Sequence, residues 1–268
     1  MTDIAPQNAA PGQTPSPAPH GERRANIDFS ALRPEEIAPE LLREARVVWA
    51  DRVRTEYQSI QIAARFATEA LAAGEPIRVH RTISETIEEE IRHTEICIGM
   101  CRALGGKVPE PKQVAAPLAD LGAVPIGERV LATSISLFLI SETFSVGYLR
   151  DLAERASHPV TKAVMEAITG DEEGHESFGV ELCSRLLATA PESARAGWRS
   201  FAGRLVKAHL DRADAVLARV PESQHKLELW PETERASLGL LGEVRLALLC
   251  RQTYRDRLAP VLAELSLG

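Results

Sequence analysis

Two short stretches of the chain, IEEEIRHTEIC and TGDEEGHESF, each carry a glutamate and a histidine three residues apart: Glu90 with His93, and Glu172 with His175. On a helix that spacing puts both side chains on one face. Such a pair offers a hard oxygen and an imidazole nitrogen, a mixture that suits iron or manganese, and two pairs facing each other supply ligands for two ions. Each pair is preceded by an acid, Glu89 or Asp171. That acid can accept the proton on the outer ring nitrogen of the histidine on the facing helix and so fix its tautomer. About one Glu-x-x-His match is expected by chance in a chain of this composition. A third match, Glu222 to His225, lies between Pro221 and Pro231 and reads as that accident.

A two-ion site also needs a carboxylate from each partner helix. In LFLISETFSVGY the only charge is Glu142, and no other charged residue occurs from Val130 to Leu149. A carboxylate buried there without a partner costs several kcal/mol or gives up its charge. Glu142 stands about sixteen residues before the break at Ser157-His158-Pro159 and Glu172 about thirteen after it, so an antiparallel hairpin brings them level at 1.5 Å per residue. The same reckoning around Gly74-Glu75-Pro76 selects Glu56, whereas Glu69 is too near the turn. The ligand candidates are therefore Glu56, Glu90, His93, Glu142, Glu172 and His175. Taken singly, an acidic run is an exposed face and a helical histidine binds nothing. The joint pattern is what points to metal.

The elements that must position these residues are helices. Apolar positions recur at three and four, strand alternation is missing, and Gly and Pro gather at breaks. The spacing predicts helices over Glu40 to Ala73, Ile77 to Leu104, Gly127 to Ala156, Pro159 to Ala188, Ser193 to Val220 and Glu232 to Leu265. Two short links make two antiparallel hairpins, and about twenty residues join them, which gives an all-α, ferritin-like four-helix bundle with one long crossover. Residues 1–33 read as a disordered Pro/Ala-rich leader, 34–190 as the bundle, and 191–268 as additional helices packed on it.

Composition limits the function. The net charge of -7 and the lack of a basic face argue against nucleic acid. The run from Val130 to Leu149 approaches the length of a membrane span, yet its Ser and Thr residues make it too polar for lipid, so no membrane is expected. The four cysteines form no Cys-x-x-Cys pair and read as reduced thiols in a cytoplasmic protein, for which a homodimer is one assembly open.

Between Trp49 and Leu187 the sequence resembles the di-iron carboxylate branch of the ferritin-like superfamily, which includes ferritins, rubrerythrins, the radical-generating subunit of ribonucleotide reductase and bacterial monooxygenase hydroxylases. The resemblance rests on Glu56, EEIRH ending at His93, Glu142, and DEEGH ending at His175. It implies two iron ions, with manganese or a mixed pair as alternatives, that activate dioxygen or peroxide. Departures narrow the branch: no pair of Cys-x-x-Cys motifs as in a rubrerythrin, Cys97 where a reductase commonly has its radical tyrosine, and Val146 where hydroxylases have threonine. The expected function is a di-iron oxidase or oxygenase that hydroxylates, N-oxygenates or desaturates a small organic substrate with an external electron donor. The p-aminobenzoate N-oxygenase family is similar at the level of ligand pattern. Cys97, Phe138, Leu139, Ser145 and Val146 are expected to wall the substrate pocket. The alternatives are an iron-handling or peroxide-scavenging protein and a structural helical module.

Overall fold

The computed structural model describes residues 27–111 and 124–268. Most of the leader, residues 1–26, and the middle of the crossover therefore lie outside the described residues. The chain joins the bundle earlier than the sequence suggests: Asp28 caps a 3-10 turn at Phe29–Ala31, Leu32 is buried, and the Phe29 ring lies against Gly99.

Helix α1, Pro39–Ala73, begins with a proline in its first turn, where no helical N–H is lost, and ends at Gly74. Gly74 takes the left-handed conformation, φ 75°, and its N–H returns to the last carbonyls of the helix. After Pro76 the chain turns back as α2, Ile77–Ala103. The second hairpin comprises α3, Ile126–Arg155, and α4, Pro159–Thr189, with His158 accepting the Val160 N–H at the start of α4. Helix α1 packs on α2 and α3, and α4 on α2 and α3, so α1 lies diagonal to α4.

Helix α3 is not a regular α-helix. Its middle, Ser134–Ser141, is π-helical, and the Glu142 N–H bonds to the Leu137 carbonyl five residues back. Ser141 Oγ likewise donates to the Ser136 carbonyl at 2.9 Å. Opposite this segment α4 carries Gly179, where a Cβ would stand 2.2 Å from the Phe138 carbonyl oxygen. By length and hydropathy α3 also meets the criteria for a membrane span, more apolar than its hydroxyls suggested, but 72% of its most apolar window is buried within the protein.

Beyond the bundle, α5, Glu192–Leu217, lies along the π segment of α3. The single helix expected from Glu232 to Leu265 is interrupted. A short helix α6, Thr233–Ser237, is followed by a loop and then α7, Glu243–Thr253, which continues through a π turn at Tyr254–Leu258 into Ala259–Glu264. The loop turns at Gly239, φ 73°, and gives its carbonyls to α1: Trp49 Nε1 donates to Leu238 O at 2.9 Å and Arg52 Nη2 to Gly239 O at 2.8 Å. A continuous helix would have left neither carbonyl free to accept. Arg245, buried on α7, pairs with Asp151 of α3 and donates to the Leu227 and Trp230 carbonyls, which ties the outer layer to the bundle.

The bundle interior is divided. One apolar cluster includes Trp49, Val53, Ile96, Cys97, Leu149 and Ile168. Another, toward the opposite end, includes Phe66, Ile83, Phe138 and Phe178. On each of the four helices the candidate ligands fall between these two clusters.

The close approach at Gly179 yields a stability test. Gly179→Ala is expected to cost about 1–3 kcal/mol, the usual scale of overpacking against a fixed backbone. Gly174→Ala, five residues earlier and facing open space, should gain about 0.5–1 kcal/mol from helix propensity. Urea denaturation of the two variants checks both signs.

Candidate metal centre

The six side chains selected by spacing meet at the middle of the bundle. Glu56, Glu90, His93 and Glu172 form one group, and Glu90, Glu142, Glu172 and His175 a second; within each, one ligand atom per residue lies within 4.8 Å of every other. Glu90 and Glu172 belong to both groups. Glu56 with His93 and Glu142 with His175 complete the two ends. First-row ions hold oxygen and nitrogen donors at about 2.0–2.2 Å, so donors around one ion stand about 3–4.4 Å apart. His93 Nδ1 lies 3.4 Å from Glu172 Oε1 and 3.8 Å from both Glu56 Oε2 and Glu90 Oε2. His175 Nδ1 lies 3.0 Å from Glu172 Oε2 and 3.7 Å from Glu90 Oε1. These spacings suit a pair of ions bridged by two carboxylates.

Two buried atoms test the fit. Glu90 Oε2 and His93 Nδ1 find no hydrogen-bond partner within the protein, although both are shielded from water. An orphaned buried acceptor costs about 1–3 kcal/mol, and both atoms face the ligand cluster, where an ion would satisfy them.

The outer nitrogens are held as their neighbours predict. His93 Nε2 lies 3.1 Å from Asp171 Oδ2 on α4, and His175 Nε2 lies 3.0 Å from Glu89 Oε2 on α2. With Nε2 donating outward, loss of the second ring proton on metal binding would leave each Nδ1 lone pair toward the ligands. Arg92, which the spacing argument passed over, joins the two acids. Its Nη2 lies 2.5 Å from Asp171 Oδ2 and 3.8 Å from Glu89 Oε1. One guanidinium thus braces both outer carboxylates. The signal was present in the sequence, since Arg92 stands three residues after Glu89, but in so acidic a run it reads as an ordinary surface pair.

Crowding of carboxylates shifts their proton affinities. Burial, and then the charge of Glu90, push Glu56 up to about 8. Burial, and then the charge of Glu172, hold Glu142 well above the usual carboxylate range. Burial also disfavours charge on Glu172, but the hydrogen bond from His175 and the charge of His93 close by outweigh it and hold that carboxyl below the usual range. For both histidines burial opposes protonation, yet their carboxylate partners raise them well above the ordinary imidazole value. In Asp171 bonds from His93 and Arg92 likewise outweigh burial and lower the carboxyl.

A cavity of about 100 Å³ lies against Glu56, Glu142 and Glu172. Ser145 lines it, as the sequence suggested, together with Arg52, Tyr148 and Met165. The other four pocket candidates do not. Cys97 belongs to the apolar cluster around Trp49, Phe138 packs between Phe66 and Phe178, Leu139 faces the outer layer, and Val146 is fully buried. For Phe138 and Leu139 counting helix positions fails because the π segment alters which residues of α3 share a face with Glu142; Cys97 and Val146 share a helix with ligands but point into packed core. Glu69, rejected on height, pairs with Arg65 at 3.0 Å and lies 3.7 Å from Arg129. His225 of the third Glu-x-x-His match is bound to the Leu217 and Val220 carbonyls.

An all-α bundle whose two Glu/His clusters share a pair of carboxylates carries the di-iron carboxylate binding motif of ferritin-like proteins. No protein-family model, curated protein or solved structure matches the chain.

Two measurements test the centre. Asp171→Asn removes the charge that orients His93 and is expected to weaken metal affinity about 10–100-fold, read by competition with a chromogenic chelator. The second concerns pH. Glu56 holds its proton to about 8 in the fold against 4.5 for a free glutamate, and both histidines lie above the free value of 6.5. Stability from raised groups is complete below the unfolded value and lost as pH rises through the folded one. Glu172, lowered, is ionised in both states above pH 6.5 and adds no slope there. Metal-free protein should therefore lose several degrees of melting temperature between about pH 6.5 and 8. Metal-loaded protein should not, and metal binding at neutral pH should release protons to the buffer. Calorimetric melting across that window decides it.

Proposed function

We propose that the protein is a non-haem di-iron oxidase or oxygenase that uses dioxygen to oxidise a small organic substrate by hydroxylation, N-oxygenation or desaturation. The observation that carries this reading is the cavity against Glu56, Glu142 and Glu172. A protein that only stores or passes on iron has no need of a separate cavity beside its ligands. Bound iron supplies the redox capacity for dioxygen activation, while the protein supplies ligands and a dry surrounding.

The chain's own residues do the rest. Glu90 and Glu172, common to both groups, would serve both ions, and Glu56 with His93 and Glu142 with His175 would each complete the hold on one. The apolar clusters on either side keep bulk water from the ligands. Leu149, Met165 and Ile168 give the cavity its apolar wall, and Ser145 and Tyr148 give it hydroxyls, joined by a hydrogen bond of 3.0 Å. Burial pushes the Tyr148 phenol up to about 12, so it stays protonated and able to donate. Electrons come from a separate donor, and the chain works in the cytoplasm with its thiols reduced.

The test is metal analysis of aerobically purified protein followed by oxygen-uptake assays. Two irons per chain, an optical spectrum of an oxo-bridged ferric pair, and uptake that depends on an organic compound are expected. Glu142→Ala should lose at least one iron. Unchanged metal content in that variant, or uptake that depends on ferrous iron alone, would sink the assignment.

A further inference from the structure

The small cavity at the ligands shares a wall with a larger one. Ser145 and Tyr148 line both the 100 Å³ cavity and a groove of about 480 Å³ bounded by α3, α5 and α7. Ser145 lies one helical turn from Glu142, so the groove begins about 5 Å along α3 from a ligand. On α5 its wall is formed by His209, Arg212, Ala213 and Val216, one face of the helix about 10 Å long, and Arg219 adds to it from the turn that follows. Glu243, Leu246, Ala247 and Cys250 give α7 the same periodicity. The His209 ring stacks on Phe144, with centroids 4.5 Å apart, and closes one end.

The lining is apolar along its length, and its charges do not balance. Arg219 pairs with Glu243 at 2.9 Å within the groove. The acids flanking Arg212 on α5 are also engaged: Asp211 pairs with Lys207 at 2.6 Å and Asp214 with Arg251 at 2.7 Å. Arg212 is exposed at the mouth, and no ion pair to it occurs among the described residues. A single unpaired guanidinium matches a monoanion, and its fork matches a carboxylate in particular.

We propose that this groove holds the substrate of the metal centre and that the substrate is an apolar carboxylate. Its carboxylate pairs with Arg212 at the mouth. Its apolar body lies over Phe144, Val216, Leu246 and Leu249 and reaches Ser145 and Tyr148, which stand between it and the metal ligands. The helices outside the bundle thereby acquire a role as one wall of the substrate chamber. This rests on reading the centre as an oxidising site.

Titration calorimetry of the full chain, iron-loaded and metal-free, with octanoate, octylamine and octanol tests it. Saturable octanoate binding is expected, with the amine and the alcohol at least tenfold weaker. Arg212→Ala should weaken octanoate about tenfold or more, the scale of a lost charge-assisted bond, and Arg212→Lys should restore part of it. Leu246→Trp, at an exposed position that tolerates bulk, should block the groove; Val216→Trp is the deeper counterpart. In iron-loaded protein octanoate should shift the optical bands of the metal pair. Equal binding of the amine, octanoate affinity unchanged in Leu246→Trp, or binding with no shift of those bands overturns the proposal. Octanoate binding by protein that cannot load metal supports the groove and overturns only the oxidising reading. Metal loading with substrate-dependent oxygen uptake but no octanoate binding does the reverse.

Discussion

The interaction on which this protein depends is the mutual repulsion of carboxylates that the fold forces together and buries. Glu56, Glu90, Glu142 and Glu172 cannot all be ionised in a dry interior without compensating cations. Within the chain compensation comes from protons on Glu56 and Glu142, from the two histidines, and from Arg92 one shell further out. Metal ions replace the first of these. The bundle is built so that its own groups nearly, but not completely, satisfy the centre, and the orphaned atoms of Glu90 and His93 are where the remainder shows.

Around that centre the apolar packing is arranged in two separate masses. Each of the four helices passes from one mass, through a ligand, to the other, so the ligands are located from both sides. The cross-bracing from Asp171 to His93 and from Glu89 to His175 adds a lateral constraint between α2 and α4. A ligand set held along the helix axes and across them loses little entropy when an ion binds.

Much of this was legible in the sequence because the controlling periods are short. A glutamate and a histidine three apart share a helix face whatever the tertiary context, and a hairpin with a short link fixes heights to within a turn. That was enough to select Glu56 over Glu69 and to pair each outer acid with the histidine opposite. The pocket wall was not legible, since Phe138 and Leu139 were assigned by counting back from Glu142 along a regular helix. The stretch Ser134–Ser141 is not one. Nor was the break at Gly239, because Leu238 to Leu241 continue an apolar pattern. Only the demand of Trp49 and Arg52 for carbonyl acceptors explains why the chain turns there.

The π-helical segment of α3 has a consequence beyond local geometry. A π turn is one residue more than an α-helix needs to cover the same rise, and so it slips the helix in phase by about 100°. The two ends of α3 answer to different neighbours, one to the bare backbone at Gly179 and the other to the ligands and the outer helices. In a uniform helix those demands would compete, and improving one contact would turn the other away. The slip makes α3 two independently indexed helices on a single axis, joined one peptide before Glu142.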